Sequence, residues 1–334
     1  MMRKPGLLKS SKHQLLTPIK MLRIRLRYWP VLLLALWSCR KDVEQFAAYT
    51  PSAQDLSNWL AEQVPGTSTH STFTLNNISI DKVLETPSGA RIFLTDTDNL
   101  FSDLSTGLPV LCSTCPDLKV EVTEVLDKSD IVARGLNTID KDGILFESGG
   151  MVRVTVTCKG QQLALLPDRN LKIQLPVSVT QNGYFVFSQN MGKWTNSNQE
   201  VFEAVWPVSN GSTYSGYELL VKNLGWSACG QLLADSTSSF CIELPSGFAD
   251  QNTLAYLIFK HQNIVVPLQY DLGQNKFCYP NIPAGFQVQL VAVSKLGERF
   301  WLGKAETELG TNATFTLGTQ EITKEAVLNF VKSL

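Results

Sequence analysis

Val152-Arg153-Val154-Thr155-Val156-Thr157-Cys158 alternates apolar and polar side chains without a break. Successive side chains of an extended strand point to opposite faces, so this period of two describes a half-buried strand and is incompatible with the 3.6-residue period of a helix. The same alternation extends outward, upstream through Phe73 and Leu75, Ile92 and Leu94, and Val120 and Val122, and downstream through Leu171, Ile173 and Leu175. Turn-forming residues separate the runs: Pro87-Ser88-Gly89, Ser105-Thr106-Gly107, Asp140-Lys141-Asp142-Gly143, Lys159-Gly160 and Pro167-Asp168. Short alternating runs punctuated this way predict an antiparallel β-sandwich domain over residues 71–180.

Residues 181–216 hold Asn190, Asn196, Ser197, Asn198, Asn210, Gly211 and Ser212 around Trp194 and Trp206, a polar composition that reads as a linker. Strand patterns resume from Tyr217, in Leu219–Val221, Phe240–Leu244, Leu254–Phe259, Ile264–Leu268, Val288–Val293 and Phe300–Leu302. Residues 217–334 are thus expected to form a second β domain, closed by a short helix from Lys324 to Val331. Leu244-Pro245-Ser246-Gly247-Phe248 echoes Ile282-Pro283-Ala284-Gly285-Phe286, which suggests paired strand–turn units. The expected class is all-β: two β-sandwich-like domains with short flanking helices. With 44% hydrophobic and 18% charged residues in 334, collagen, coiled coil and wholesale disorder are excluded.

The N-terminus differs in kind. Arg3, Lys4, Lys9, Lys12, Lys20, Arg23, Arg25 and Arg27 precede any acidic residue, and an apolar run from Trp29 to Trp37 follows. That run is too short to span a bilayer, which takes about 20 apolar residues, and suits a signal-peptide core. It ends at Leu36-Trp37-Ser38-Cys39, which resembles a bacterial lipobox; the Arg40-Lys41-Asp42 that follows is similar to lipoproteins of the Bacteroidota. The resemblance implies a signal peptide over 1–38, with Met21 as an alternative start, and a diacylglycerol-modified Cys39 as the membrane anchor. Trp37 departs from the pattern, which favours a small residue there. Residues 39–70 would be a tether containing a short helix, with Ser52 as cap, Leu56, Trp59, Leu60 and Val64 at helical spacing, and Pro65-Gly66 as its stop. Removing 1–38 leaves 21 of the 29 basic residues against all 30 acidic ones, a net charge near −9. Such a surface disfavours nucleic acid and leaves membrane attachment to acyl chains.

Six further cysteines, Cys112, Cys115, Cys158, Cys229, Cys241 and Cys278, are split three and three between the halves. In an oxidising compartment they are candidates for disulfides, and an odd number in each half requires either a cross-half bridge or a free thiol. Cys112-Ser113-Thr114-Cys115 lies between Pro109 and Pro116, which mark a loop rather than the helix start of a redox motif. A zinc site with Cys158 as third ligand lacks a fourth. Asp96 and Asp98, and Asp140 and Asp142, place carboxylates at alternating loop positions where calcium could bind, although neither pair completes an EF-hand and both residue types build turns without an ion.

Apart from His13 in the leader, histidine is confined to His70, ahead of the first strand, and His261, read as a surface turn. That argues against a His-based catalytic triad. No phosphate-cradling glycine loop, G-x-S-x-G or H-E-x-x-H occurs, and no cofactor is expected. Asp235-Ser236-Thr237 resembles a Bacteroidota O-glycosylation triplet. Gly89–Leu94, Ser129-Asp130-Ile131, Gly135, Glu147–Met151 and Leu165-Leu166-Pro167 together look like the β-sandwich module of ankyrins and netrin receptors, over about a third of the chain. Some relatives of that module cut themselves at a His-Phe-Ser strand, a tripeptide absent here.

The expectation is a non-catalytic, lipid-anchored protein of the cell envelope, at the outer membrane or cell surface, that binds or scaffolds an extracellular or periplasmic partner. The alternatives are a surface glycan-binding protein, with Trp194, Trp206, Trp226 and Trp301 as stacking candidates, and a carboxylate-based glycoside hydrolase. Exposed tryptophans would favour glycan binding, and inward-facing ones would count against it.

Overall fold

The computed structural model describes residues 53–64, 70–207, 211–233, 238–310 and 313–334. The expected signal segment, its Cys39 anchor, the Ser52 cap and the Asp235–Thr237 triplet lie outside these residues. No helix among the described residues is long and apolar enough to cross a membrane.

Helix α1 (Ala53–Gln63) opens the described chain and buries Leu56 and Leu60 on the expected spacing. The strands β1 (His70–Leu75), β2 (Lys82–Glu85), β3 (Arg91–Leu94), β4 (Phe101–Asp103), β5 (Pro109–Val110) and β6 (Leu118–Val125) follow. A short helix α2 (Lys128–Ala133) comes next, its first turn capped by the Asp127 carboxylate, which accepts from Asp130 N–H at 2.9 Å. The chain continues through β7 (Phe146–Cys158), β8 (Gln161–Leu165), β9 (Leu171–Pro176), β10 (Phe185–Asn190), β11 (Lys193–Glu200), β12 (Phe202–Pro207), β13 (Thr213–Val221) and β14 (Gly225–Leu232).

These strands make a nine-stranded sheet ordered β11-β10-β14-β7-β8-β4-β5, with β6 also paired to β7 and β1 to β6, and a five-stranded sheet ordered β12-β13-β9-β3-β2. The alternating residues that predicted the strands supply the core between them: Val120 and Val122, Val152, Val154 and Val156, and Leu171, Ile173 and Leu175 are all buried there.

A second sandwich comprises β15 (Ser238–Glu243), β16 (Thr253–Phe259), β17 (Val265–Pro267), β18 (Gln269–Asp271), β19 (Lys276–Ile282), β20 (Gln287–Leu296), β21 (Arg299–Glu308), β22 (Ala313–Thr316) and β23 (Gln320–Ile322), and helix α3 (Lys324–Lys332) ends the chain. Its sheets run β18-β19-β15-β22 and β17-β16-β20-β21-β23 and bury Phe240, Ile242, Leu257, Phe259, Val288 and Leu290 between them. The two echoed segments follow β15 and β19, which pair with each other. Each reverses at its glycine, Gly247 at φ +98° and Gly285 at φ +83°, a backbone region that a side chain would strain.

A third core joins the sandwiches. Phe146, Met151, Phe187, Trp194 and Ala228 on the outer face of the nine-stranded sheet cluster with Tyr256, Ile258, Val291, Val293 and Phe300 of the second sandwich, and with Leu56, Leu60, Val327 and Val331 of α1 and α3. Phe146 stacks on Phe187 with ring centroids 4.4 Å apart, and Trp59 of α1 lies 4.7 Å from Phe300. Thr138 N–H donates to Val265 O at 3.0 Å and Val265 N–H returns to Thr138 Oγ1 at 2.9 Å, so backbone as well as side chains crosses the junction.

Four expectations change. Residues 181–216 are not a linker; they hold β10, β11, β12 and the start of β13. The stretch is polar because β11 and β12 are edge strands of their sheets, and natural edges favour polar side chains. A boundary at 217 falls inside β13, which pairs with β9, and the change of sandwich comes between β14 and β15. The helical part of 39–70 is core rather than tether, since Leu60 is fully buried. His70 begins β1 instead of preceding it, with its Nδ1 3.0 Å from Thr123 Oγ1.

The third core makes a stability prediction. Phe146→Ala should lower the unfolding free energy by about 3–5 kcal/mol, read from urea denaturation followed by tryptophan fluorescence. The transition should remain single, because the lost ring belongs to the layer shared by both sandwiches.

Candidate functional site

The acids proposed as calcium ligands are turn builders. Asp98 accepts from both Ser113 N–H and Ser113 Oγ–H at 2.7 Å, and these bonds hold its carboxyl below the usual range. Asp96 sits in the left-handed region at φ +49°, accepts from Asn99 Nδ2 at 2.9 Å and pairs with Arg169 at 3.2 Å. Asp140 accepts from the N–H groups of Asp142 and Ile144, and Asp142 pairs with Lys141. Among the described residues one group of ligand-type side chains converges, Cys115, Asp117 and Cys158. Its two sulfurs are joined in a disulfide, which leaves no thiolate for a metal.

The second disulfide joins Cys241 to Cys278 across paired strands, while Cys112 and Cys229 are buried free thiols. Among the described residues, no bridge crosses between the sandwiches: with the boundary after β14, Cys229 belongs to the first sandwich, and both free thiols lie in its core. Cys112 lies in a single 3-10 turn, not at a helix start, and burial pushes its thiol up to about 11. Cys229 is fully enclosed, and burial raises its thiol further.

Tryptophan placement weighs against an exposed aromatic row. Trp194 and Trp206 are buried with their indole N–H groups donating to Asn137 O and Gly89 O, both at 2.9 Å. Trp226 packs on the third core. Trp301 is half-buried against Phe248, with Arg299 over its ring at 5.0 Å.

A concavity of about 790 Å³ lies at the junction of the sandwiches. A β-bulge builds its floor. Ser148 pairs with Gly230 and Gly150 with Cys229, so Gly149 is an extra residue on β7. Phe146 and Met151, an odd number of residues apart, both reach the third core, which an uninterrupted strand would forbid. The same shift turns Glu147 away from that core and into the cleft. Two glycines are needed here: a Cβ on Gly149 would lie 2.7 Å from the Tyr217 ring, and Gly150 holds φ +127°.

Glu147 is half-buried. Burial raises its carboxyl above the usual range, opposed by a hydrogen bond from Asn263 N–H and by the nearby Lys128. Lys128 donates its ammonium to Phe259 O and Lys260 O, and burial lowers its pKa. The loop carrying His261, Gln262 and Asn263 leaves the second sandwich and clamps the first: Ser148 N–H donates to Asn263 O at 3.1 Å, and Asn263 Nδ2 to Leu126 O at 3.1 Å. Asn263 Oδ1 is buried with no hydrogen-bond partner. His261 is exposed in this turn, as expected, and lines the cleft.

Sequence reasoning did not assemble this cleft. Gly149-Gly150 inside a strand pattern was its one local signal, since paired glycines in a strand mark a bulge. Comparison of the chain with family models, with curated proteins and with solved structures finds no match.

Two measurements check these assignments. Native protein should resist alkylation at Cys112 and Cys229 and gain two adducts after unfolding without reductant, read by intact mass. Glu147→Gln tests the electrostatics. A carboxyl held above its ordinary value costs stability only once ionised, so the cost is absent below the unfolded-state pKa and complete above the raised one. The variant should therefore melt higher than wild type at pH 7 and lose that advantage below about pH 4.

Proposed function

We propose that this chain is a non-catalytic, lipid-anchored protein of the cell envelope, held by Cys39, whose junctional cleft binds an extracellular or periplasmic partner. The anchor reading rests on the basic leader, the short apolar run and Ser38-Cys39. Binding without catalysis is supported by one observation: the charged side chains of the cleft are engaged by the protein itself. Asp127 caps α2, Glu147 lies beside the Lys128 ammonium, and Lys128 donates to two backbone carbonyls. A hydrolase of the two-carboxylate kind needs one carboxyl free to give a proton and another free to attack or activate water. With Asp127 committed to the helix cap and Glu147 set beside the Lys128 ammonium, the cleft favours a binding surface instead. No cofactor enters this reading.

The test is protease shaving of intact cells carrying wild type or Cys39→Ser, with mass spectrometry of the mature N-terminus. Acylated Cys39 as first residue is the expected result, with shedding or mislocalisation of the variant. Rapid digestion in wild type would put the sandwiches on the outside, and protection would direct the search to periplasmic partners. An intact N-terminus with an unmodified Cys39 would overturn the anchor.

A further inference from the structure

We infer that the junctional cleft takes a neutral oligosaccharide. This deepens the reading of the cleft as a binding site and rests on it; the inward-facing tryptophans exclude stacking by Trp194 and Trp206, and the tyrosine ring available to a sugar in this cleft, besides that of Tyr184, is that of Tyr214. The cleft's charged side chains are tied to the protein: Asp127 caps α2, Lys128 donates to two backbone carbonyls, and Lys128 and Glu147 offset each other electrostatically. Tyr214, Gln181, Gln262 and Ser178 line the cleft with uncharged polar side chains.

Hydroxyls and carboxamides complement a ligand that carries many hydroxyl groups, each both donor and acceptor.

The apolar part of the lining fits the same chemistry. The Tyr214 ring is half-buried and packs over Gly89, where a Cβ would come within 2.8–2.9 Å of it. Val177, Val179 and Leu126 add an aliphatic wall suited to the C–H faces of sugar rings. A volume of about 790 Å³ lies within the span of roughly 300–1,000 Å³ for small-molecule sites and accommodates several linked rings.

The experiment is calorimetric titration of the full chain with neutral hexasaccharides of β-glucan, α-glucan, β-mannan and β-xylan, and with hexagalacturonate as an anionic comparator. At least one neutral probe should bind more tightly than the comparator. Val179 is 70% exposed, so Val179→Trp should fill the cleft without disturbing the fold and weaken that probe by about tenfold or more. Gln262→Ala should weaken it several-fold with an unchanged melting temperature. The proposal is overturned if no neutral probe binds, if hexagalacturonate binds more tightly, or if Val179→Trp leaves affinity unchanged. Should no sugar bind while a photo-crosslinker at Ser178 captures a protein in intact cells, and Val179→Trp abolishes capture, the sugar class falls and the cleft's role in binding stands.

Discussion

Phe146, Met151 and Phe187 of one sandwich packed on Tyr256, Val291 and Val293 of the other form the contact on which the remaining structure depends. An antiparallel sheet commonly buries one face and wets the other. Here the nine-stranded sheet and the sheet ordered β17-β16-β20-β21-β23 are apolar on both faces, so each requires the other as cover. Helices α1 and α3 fill the space at the margins of this layer, with Leu60 and Val331 fully enclosed. The result is four sheets in layers around three cores, within one compact unit.

The bulge on β7 links that packing to the cleft. Downstream of it, Met151 faces the middle core and Val152 the first sandwich; upstream, Phe146 returns to the middle core only because Gly149 adds a residue. A single insertion in the ladder therefore serves two purposes: it continues an aromatic cluster across the sheet and aims Glu147 at the neighbouring loop. The loop at 261–263 answers with backbone and amide hydrogen bonds, so the walls of the cleft are fixed by the same contacts that hold the sandwiches together.

Strands with one wet face were legible in the sequence, because Val152, Val154 and Val156, or Leu171, Ile173 and Leu175, state their period directly. So were both terminal helices and the two Pro-x-Gly turns. The edge strands were not, since β11 carries Asn196 and Asn198, residues that propensity assigns to loops, and Asn198 does occupy the left-handed region at φ +56°. The division of the chain was hidden for a related reason: β13 and β14 return to pair with β9 and β7, and pairing over such separations leaves no local mark. The cleft was illegible beyond its glycine pair. Its lining comes from Ser88, Lys128, Glu147, Val179, Tyr214 and Gln262, brought together only by the fold.

The long returns of β13 and β14 also bear on how the chain acquires its structure. Arg153 waits for Trp226 before the central ladder closes, and Leu60 of α1 waits for Val293 and Val331. Non-local pairing of this kind slows folding, because the entropy of closing long loops is lost before the contacts form. Helix α1, made before every other described element, is thus among the last to dock. Until the final strands arrive, an apolar sheet face stays uncovered and a ready target for chaperones.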